Sequence, residues 1–351
     1  MQRTITLALV WFVAASVLAA CAGTTTASAP ARKLKVGVML DAGSEQDKSF
    51  NEYTLKGARD AAEALGLEFA YLLPQSTADY ESTLESLIVS EKPDFVMTVG
   101  FRMGDATARA AQRYPQIKFA IVDNAYSPGF GCSETVKDCY TPEGGLSNVT
   151  SLMFAEGEIS YLAGVLAGCM SKTGIIASVA GVEIPPVVRF VTGYQNGAHS
   201  VRPDVVVLNQ YIPDFNDPAT GKVIAQGFIS QGADVIFGVA GNTGNGGLLA
   251  AKEAGLMAIG VDVDQYFTYP EVQSVLMTSA AKNVDVAAAA AVKDFAAGRL
   301  AAGIRTATIA NGGVGLAPYH AWDSRIPPDC KDKVEAAEAA IKADPSVTGV
   351  K

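Results

Sequence analysis

The sequence predicts an α/β fold: two doubly wound parallel-sheet lobes joined by a hinge. Short, continuous apolar runs alternate with amphipathic stretches from Lys35 onward, as expected for parallel strands covered by helices on both faces. The alternation restarts near Gly174, which calls for a second sheet. With 351 residues, 49% apolar and 18% charged, the chain can build two cores and is too apolar for extensive disorder.

Lys35–Leu40 reads as the first strand and Phe50–Leu65 as a helix with apolar positions at helical spacing. Leu67–Leu73, Asp94–Gly100 and Ile117–Val122 read as further strands, with helices near Asp79–Glu91 and Gly104–Tyr114. Gly174–Ala180, Val205–Gln210, Val235–Gly238 and Met257–Val261 repeat the pattern. The first crossover is expected at Asn148–Phe154. A return to the first lobe is expected near Val275–Ala281, then a helix over Asn283–Ala297 and a crossing back around Gly303–Ile309. The expected division is a first lobe of residues 35–150 plus 280–304 and a second of 151–279 plus 305–351.

The N-terminus reads as an export signal. Arg3 supplies the positive start, and Thr4 to Leu18 is apolar but short for a membrane span. Ala19 and Ala20 place small residues before Cys21. Leu18-Ala19-Ala20-Cys21 resembles a bacterial lipobox, which implies removal of residues 1–20 and lipidation of Cys21; the alternative is an ordinary secretory signal with an incidental cysteine. Residues 21–33, rich in Thr, Ala and Ser, read as a tether.

Export bears on the remaining cysteines, Cys132, Cys139, Cys169 and Cys330, an even number suited to an oxidising compartment. Cys132 and Cys139 bracket a short polar loop that they could staple, leaving Cys169 and Cys330 for a long-range bridge; three pairings are possible. No C-x-x-C occurs, and His199 and His320 are the only histidines, so no metal is expected. The net charge is −9. Without residues 1–20 it is −10, from 26 basic and 36 acidic side chains. Such a surface repels phosphates, and no basic stripe offsets it, which argues against nucleic-acid binding.

In open α/β sheets ligands bind beyond the carboxyl ends of the strands. The first such loop, Asp41 to Asn51, holds Ser49 three residues before Glu52, a capping-box spacing. Phe50 then falls in the first helical turn, either as a core residue or as a platform for a flat ligand. Asp123 ends a buried strand, where a carboxylate needs a partner, whether cap, backbone or ligand N–H. Gly181 to Pro186 opens a helix carrying Phe190 and Tyr194, and Tyr211 to Asp217 adds Phe215 as a ring that could oppose Phe50. The glycine-rich turn around Gly241 lacks the P-loop lysine and is not G-x-G-x-x-G; its glycines are expected to admit a ligand or turn tightly. No cofactor is expected. Asp262 and Lys282 could neutralise each other or both bond sugar hydroxyls.

An enzyme is disfavoured. Neither histidine sits beside a nucleophile motif, and no G-x-S-x-G occurs. Asp262 and Asp264 alternate along a strand end and should point apart.

Taken in order, these clusters resemble the basic membrane protein family of bacterial substrate-binding lipoproteins, whose best-known type is the purine nucleoside receptor. The resemblance runs from Lys33 to about Ala321. It rests on Asp47-Lys48-Ser49-Phe50-Asn51, Val99-Gly100-Phe101, Val122-Asp123, Glu156-Gly157 with Tyr161-Leu162-Ala163-Gly164, Phe190 with Gly193-Tyr194, Phe215-Asn216-Asp217, and Gly260-Val261-Asp262-x-Asp264-Gln265. It implies a type I periplasmic binding protein fold, a small-molecule ligand, ABC permease subunits as partners, membrane attachment through the lipid only, and a monomer. It also implies that Phe50 and an aromatic at or near Phe215 (Tyr211 and Tyr194 being the others) sandwich a base. Asp41, Asn51 and Asp123 would then read the base edge, while Asp262, Lys282 and the Gly241 turn hold the ribose. A nucleobase, a flavin-like ring or a sugar fits parts of the same logic, as does a sensor role. The Cys132–Cys139 segment and Ala42-Gly43-Ser44 depart from the family pattern.

Overall fold

The structure is a computed structural model that describes residues 32–350. The signal, Cys21 and all but the end of the tether lie outside the described residues. In the first sheet lie β1 (Lys35–Met39), β2 (Glu68–Leu72), β3 (Phe95–Val99) and β4 (Lys118–Val122). Two short strands, β5 (Ser127–Pro128) and β6 (Gly131–Cys132), pair only with each other, and β7 (Val149–Phe154) rejoins the first sheet. In the second sheet lie β8 (Ile175–Ala180), β9 (Val206–Tyr211), β10 (Val235–Val239), β11 (Met257–Asp262) and β12 (Leu276–Ala281). The strand β13 (Gly303–Ala307) returns to the first sheet and β14 (Gly315–Leu316) closes the second. The orders are β13-β7-β4-β3-β1-β2 and β14-β12-β11-β10-β8-β9. All pairings within them are parallel except β12 with β14. Each sheet thus changes direction between its first and third strands, which opens a crevice at the carboxyl edge.

The sheets divide the chain differently from the expected crossovers. The expected first crossover, Asn148–Phe154, is itself strand β7, paired with β4 and β13. The segment around Val275–Ala281 stays in the second sheet as β12, beside β11. The chain changes sheets after these strands, because both runs are apolar enough to be buried centrally.

The helices are α1 (Phe50–Ala64), α2 (Tyr80–Glu91), α3 (Gly104–Arg113), α4 (Glu156–Met170), α5 (Pro185–Val201), α6 (Pro218–Ser230), α7 (Gly241–Ala254), α8 (Gln265–Thr268), α9 (Val284–Ala296) and α10 (Pro328–Ala343). Helix α4 lies against α5 at unusually close range. A Cβ on Gly164 would stand 2.1 Å from the Tyr194 carbonyl, and one on Gly197 1.9 Å from that of Tyr161. The Tyr161–Gly164 run is therefore a packing motif. Cys132 is bonded to Cys139, and Cys169 on α4 to Cys330 on α10. Among the described residues no helix is long and apolar enough to cross a membrane.

Candidate functional site

Loops at the carboxyl ends of both sheets line a cleft, the place where open α/β sheets bind ligands. All eight residues named from the sequence line it: Asp41, Phe50, Asn51, Asp123, Phe215, Gly241, Asp262 and Lys282. Phe101, Ile184, Pro186, Val187 and Phe190 complete its apolar wall. Tyr194 is instead buried in the core against Phe237, ring centroids 5.0 Å apart. Tyr211 does not line the cleft, so of the three candidate rings Phe215 is the one that does.

The two sheets end alike. Asp123 follows β4 with φ +66°, and Asp262 closes β11 with φ +67°. Left-handed backbone at non-glycine residues costs free energy and marks functional positions; here it directs both carboxylates into the cleft. Lys282 follows β12 and meets them there. Its Nζ lies 2.6 Å from each oxygen of Asp123 and 3.1 Å from Glu156, with its side chain 1% exposed. Phe154, Phe50 and Phe190 surround the ammonium at 4.8, 5.2 and 5.7 Å from their ring centroids, so cation–π attraction adds to the ion pairs. Arg189 holds the other Glu156 oxygen at 2.7 Å.

This arrangement alters two expectations. Lys282 donates to both oxygens of Asp123 and lies 3.1 Å from Glu156, so these acids rather than Asp262 are its ion-pair partners. Asp262 is the reverse: among the described residues no side chain hydrogen-bonds its carboxylate, which remains open to the cleft. Burial pushes its pKa up to about 7, with Lys282 opposing and the other acids adding to the rise. Burial likewise raises Asp123 and Asp47, each to about 6, against Lys282 in the first case and three backbone N–H groups in the second. Burial pushes Lys282 down, but Asp123, Glu156 and Asp262 outweigh it, and the net shift is up.

The start of α1 also differs from the capping-box reading. The Ser49 hydroxyl makes no cap bond. Instead Asp47 accepts from the backbone N–H of Ser49, Asn51 and Glu52 at 3.0, 2.8 and 3.1 Å, because an ionisable acceptor competes better for the helix's free donors. Asn51 donates to the carbonyls of Asp41 and Ser44, leaving its side-chain oxygen unpartnered. Asp41 accepts from Tyr80 and Arg102, and burial raises its pKa. The glycine-rich turn is mostly helix. A Cβ on Gly246 would stand 2.0 Å from the Pro218 carbonyl, so that glycine serves helix packing, while Gly241 lines the cleft. Asp264 turns away from Asp262 to His320, 2.7 Å distant.

Besides the Lys282–Asp123 pair, further contacts among the described residues cross the cleft. Asn245 donates to the Asp47 carbonyl at 2.8 Å, Thr268 to the Lys48 carbonyl at 2.7 Å, and the Arg102 guanidinium lies 5.3 Å from the Phe215 ring centroid. Sequence reasoning did not single out Arg102 or Glu156 as site residues. Arg102 comes three residues after β3 and Glu156 two after β7, where it opens α4.

The raised acids tie stability to pH. The folded state keeps protons on Asp262 that the unfolded chain, with a reference value of 3.8, has lost. That contribution is full below about pH 4 and fades as pH rises through about 7. In denaturant titrations of ligand-free protein from pH 4 to 8, Asp262→Asn should show a shallower decline than wild type. Equal slopes would mean that Asp262 titrates normally.

Two α/β sheets closing a ring-walled, acid-edged cleft define a two-lobed solute-binding protein of the type I periplasmic binding fold. Residues 34–338 match the family described as ABC transporter substrate-binding protein PnrA-like; the chain belongs to that family. A solute-binding protein of an ABC transporter system from Aeropyrum pernix K1 superposes with a TM-score of 0.72 at 31% identity, covering 88% of this chain and 86% of that one. An uncharacterized lipoprotein of Pyrococcus abyssi is 32% identical over 331 residues, 90% of this chain and 76% of that protein. The ABC transporter nucleoside-binding protein BmpA of Lactococcus lactis is 31% identical over 283 residues, 76% of this chain and 75% of that protein. The protein is thus a substrate-binding component of an ABC transporter, with a small-molecule ligand and permease subunits as partners.

Proposed function

We propose that the protein captures a nucleoside, a purine nucleoside foremost, outside the cytoplasm and delivers it to an ABC permease while tethered through lipidated Cys21. One observation carries this reading: a ring from each sheet, Phe50 and Phe215, lines the same cleft as the unpaired Asp262 carboxylate. Phe50 and Phe215 stack the base, Asp41 and Asn51 read its edge, and Asp262 accepts from the ribose hydroxyls. Asp123 and Lys282 act as a pair that fixes the floor. The two sheets are the cores of the two lobes, with the chain crossing between them after β7, β12 and β13, and it works as a monomer. The nucleoside-binding name of the Lactococcus lactis relative and the lipoprotein names of the Pyrococcus relatives support the reading.

Stacking contributes roughly 1–3 kcal/mol per base, and each hydrogen bond to a charged group about 1.5–3 kcal/mol. Together, after association costs, they are compatible with affinity near or below about 1 μM. Calorimetry with guanosine, inosine, adenosine, uridine and ribose tests the proposal. Binding of a purine nucleoside is expected, and heat from ribose alone with none from any nucleoside would overturn it. Four acids, Asp41, Asp47, Asp123 and Asp262, line the cleft with one cation, Lys282. Guanosine 5′-monophosphate should therefore bind at least about 100-fold more weakly than guanosine, since like charges brought together cost several kcal/mol. Equal affinities would show that the phosphate lies away from these acids.

A further inference from the structure

We infer that the disulfide-stapled segment Cys132–Cys139 is a specificity element of the ligand cleft, acting through Phe130 on Phe101. Phe101 follows β3 and lines the cleft. Its ring stacks on Phe130 with centroids 6.4 Å apart and planes 19° from parallel. Phe130 stacks in turn on Tyr126 at 5.9 Å, and Tyr126 meets Tyr140 at 6.1 Å. Four rings thus run from the disulfide segment to the cleft wall.

The far end of this row is anchored. Tyr126 donates its hydroxyl to the Gly104 carbonyl at 2.8 Å and its backbone N–H to the Tyr140 hydroxyl at 2.9 Å. The Tyr140 hydroxyl also bonds Ser151 at 2.6 Å. Gly131, at φ +86°, lies so flat on Tyr126 that a Cβ there would stand 2.1 Å from the ring. The Cys132–Cys139 bond ties the turn holding Phe130 to the stretch holding Tyr140. Strands β5 and β6 belong to neither large sheet, so the bond staples no part of either sheet. What it does hold is the ring row ending on a cleft residue. Phe130 is accordingly a positioning residue, and the disulfide sets how firmly Phe101 presents its face to a planar ligand.

The choice of probes rests on the nucleoside reading. Phe130→Ala should weaken guanosine binding about three- to tenfold, the equivalent of one aromatic pair, and should change the guanosine-to-adenosine affinity ratio. Phe130→Tyr, which keeps the ring, should restore both. A purely structural role would lower the melting temperature without moving the ratio. A ligand-free arm decides the coupling independently. In mature protein carrying Phe101→Trp and Trp322→Phe, replacing Cys132 and Cys139 by serine should shift the tryptophan emission maximum. Should wild type bind neither guanosine nor adenosine, the emission alone decides this inference, and the nucleoside reading stands or falls on the wider calorimetry. An unshifted emission overturns the inference, as does an unchanged ratio where the nucleosides bind.

Discussion

Asp262→Ala is expected to weaken guanosine binding at least tenfold while leaving the ligand-free fold as stable as wild type or more so. Both halves follow from the same geometry. The Asp262 carboxylate has no protein hydrogen-bond partner among the described residues, so a ligand hydroxyl is what it can serve, and hydrogen bonds to charged groups are worth about 1.5–3 kcal/mol. It is also a buried acid among acids, with its pKa raised to about 7 by burial and by Asp123, Asp47 and Glu156 against Lys282. Removing it relieves repulsion in the empty cleft. Calorimetry with guanosine and a thermal melt of the same sample read the two effects separately. Unchanged affinity would take Asp262 out of the site; a large fall in melting temperature would make it a structural residue.

The second large effect is on stability. Lys282→Met leaves Asp123 and Glu156 without the cation that stands 2.6 and 3.1 Å from them, and breaking a buried pair this way costs about 3–5 kcal/mol. Asp123, left without a cation while Glu156 keeps Arg189, can escape part of that loss by taking up a proton. Urea titrations should therefore show a larger deficit at pH 8 than at pH 5, and Asp123→Asn in the same chain should recover part of it. A deficit equal at both pH values and untouched by Asp123→Asn would assign the effect to lost packing against Phe154, Phe50 and Phe190.

How far the sequence was legible depends on whether a feature is local. Strands such as Phe95–Val99 and Val235–Val239 are buried at every position, which makes them continuous apolar runs that stand out unaided. Which sheet receives a strand is a different matter. Val149–Phe154 and Leu276–Ala281 look alike as sequence, and only their neighbours decide their place, so the crossovers were misjudged by one element. The site divides the same way. Asp123, Asp262 and Lys282 were visible because each directly follows or ends a strand. Their pairing was not, because Glu156 opens a helix, where an acid is expected for the helix dipole alone. Ser49 resembled a cap because Ser-x-x-Glu is a local pattern. Asp47 took the role by reaching three backbone donors at once, which spacing alone does not reveal.

The bond between Cys169 and Cys330 turns 161 residues of sequence separation into a covalent ring. That ring contains the whole second sheet together with α9 and β13, which pack in the first lobe. A protease that cuts once anywhere inside it releases no fragment. Such a nick would leave two chains joined by that one bond, with α10 still tied covalently to α4.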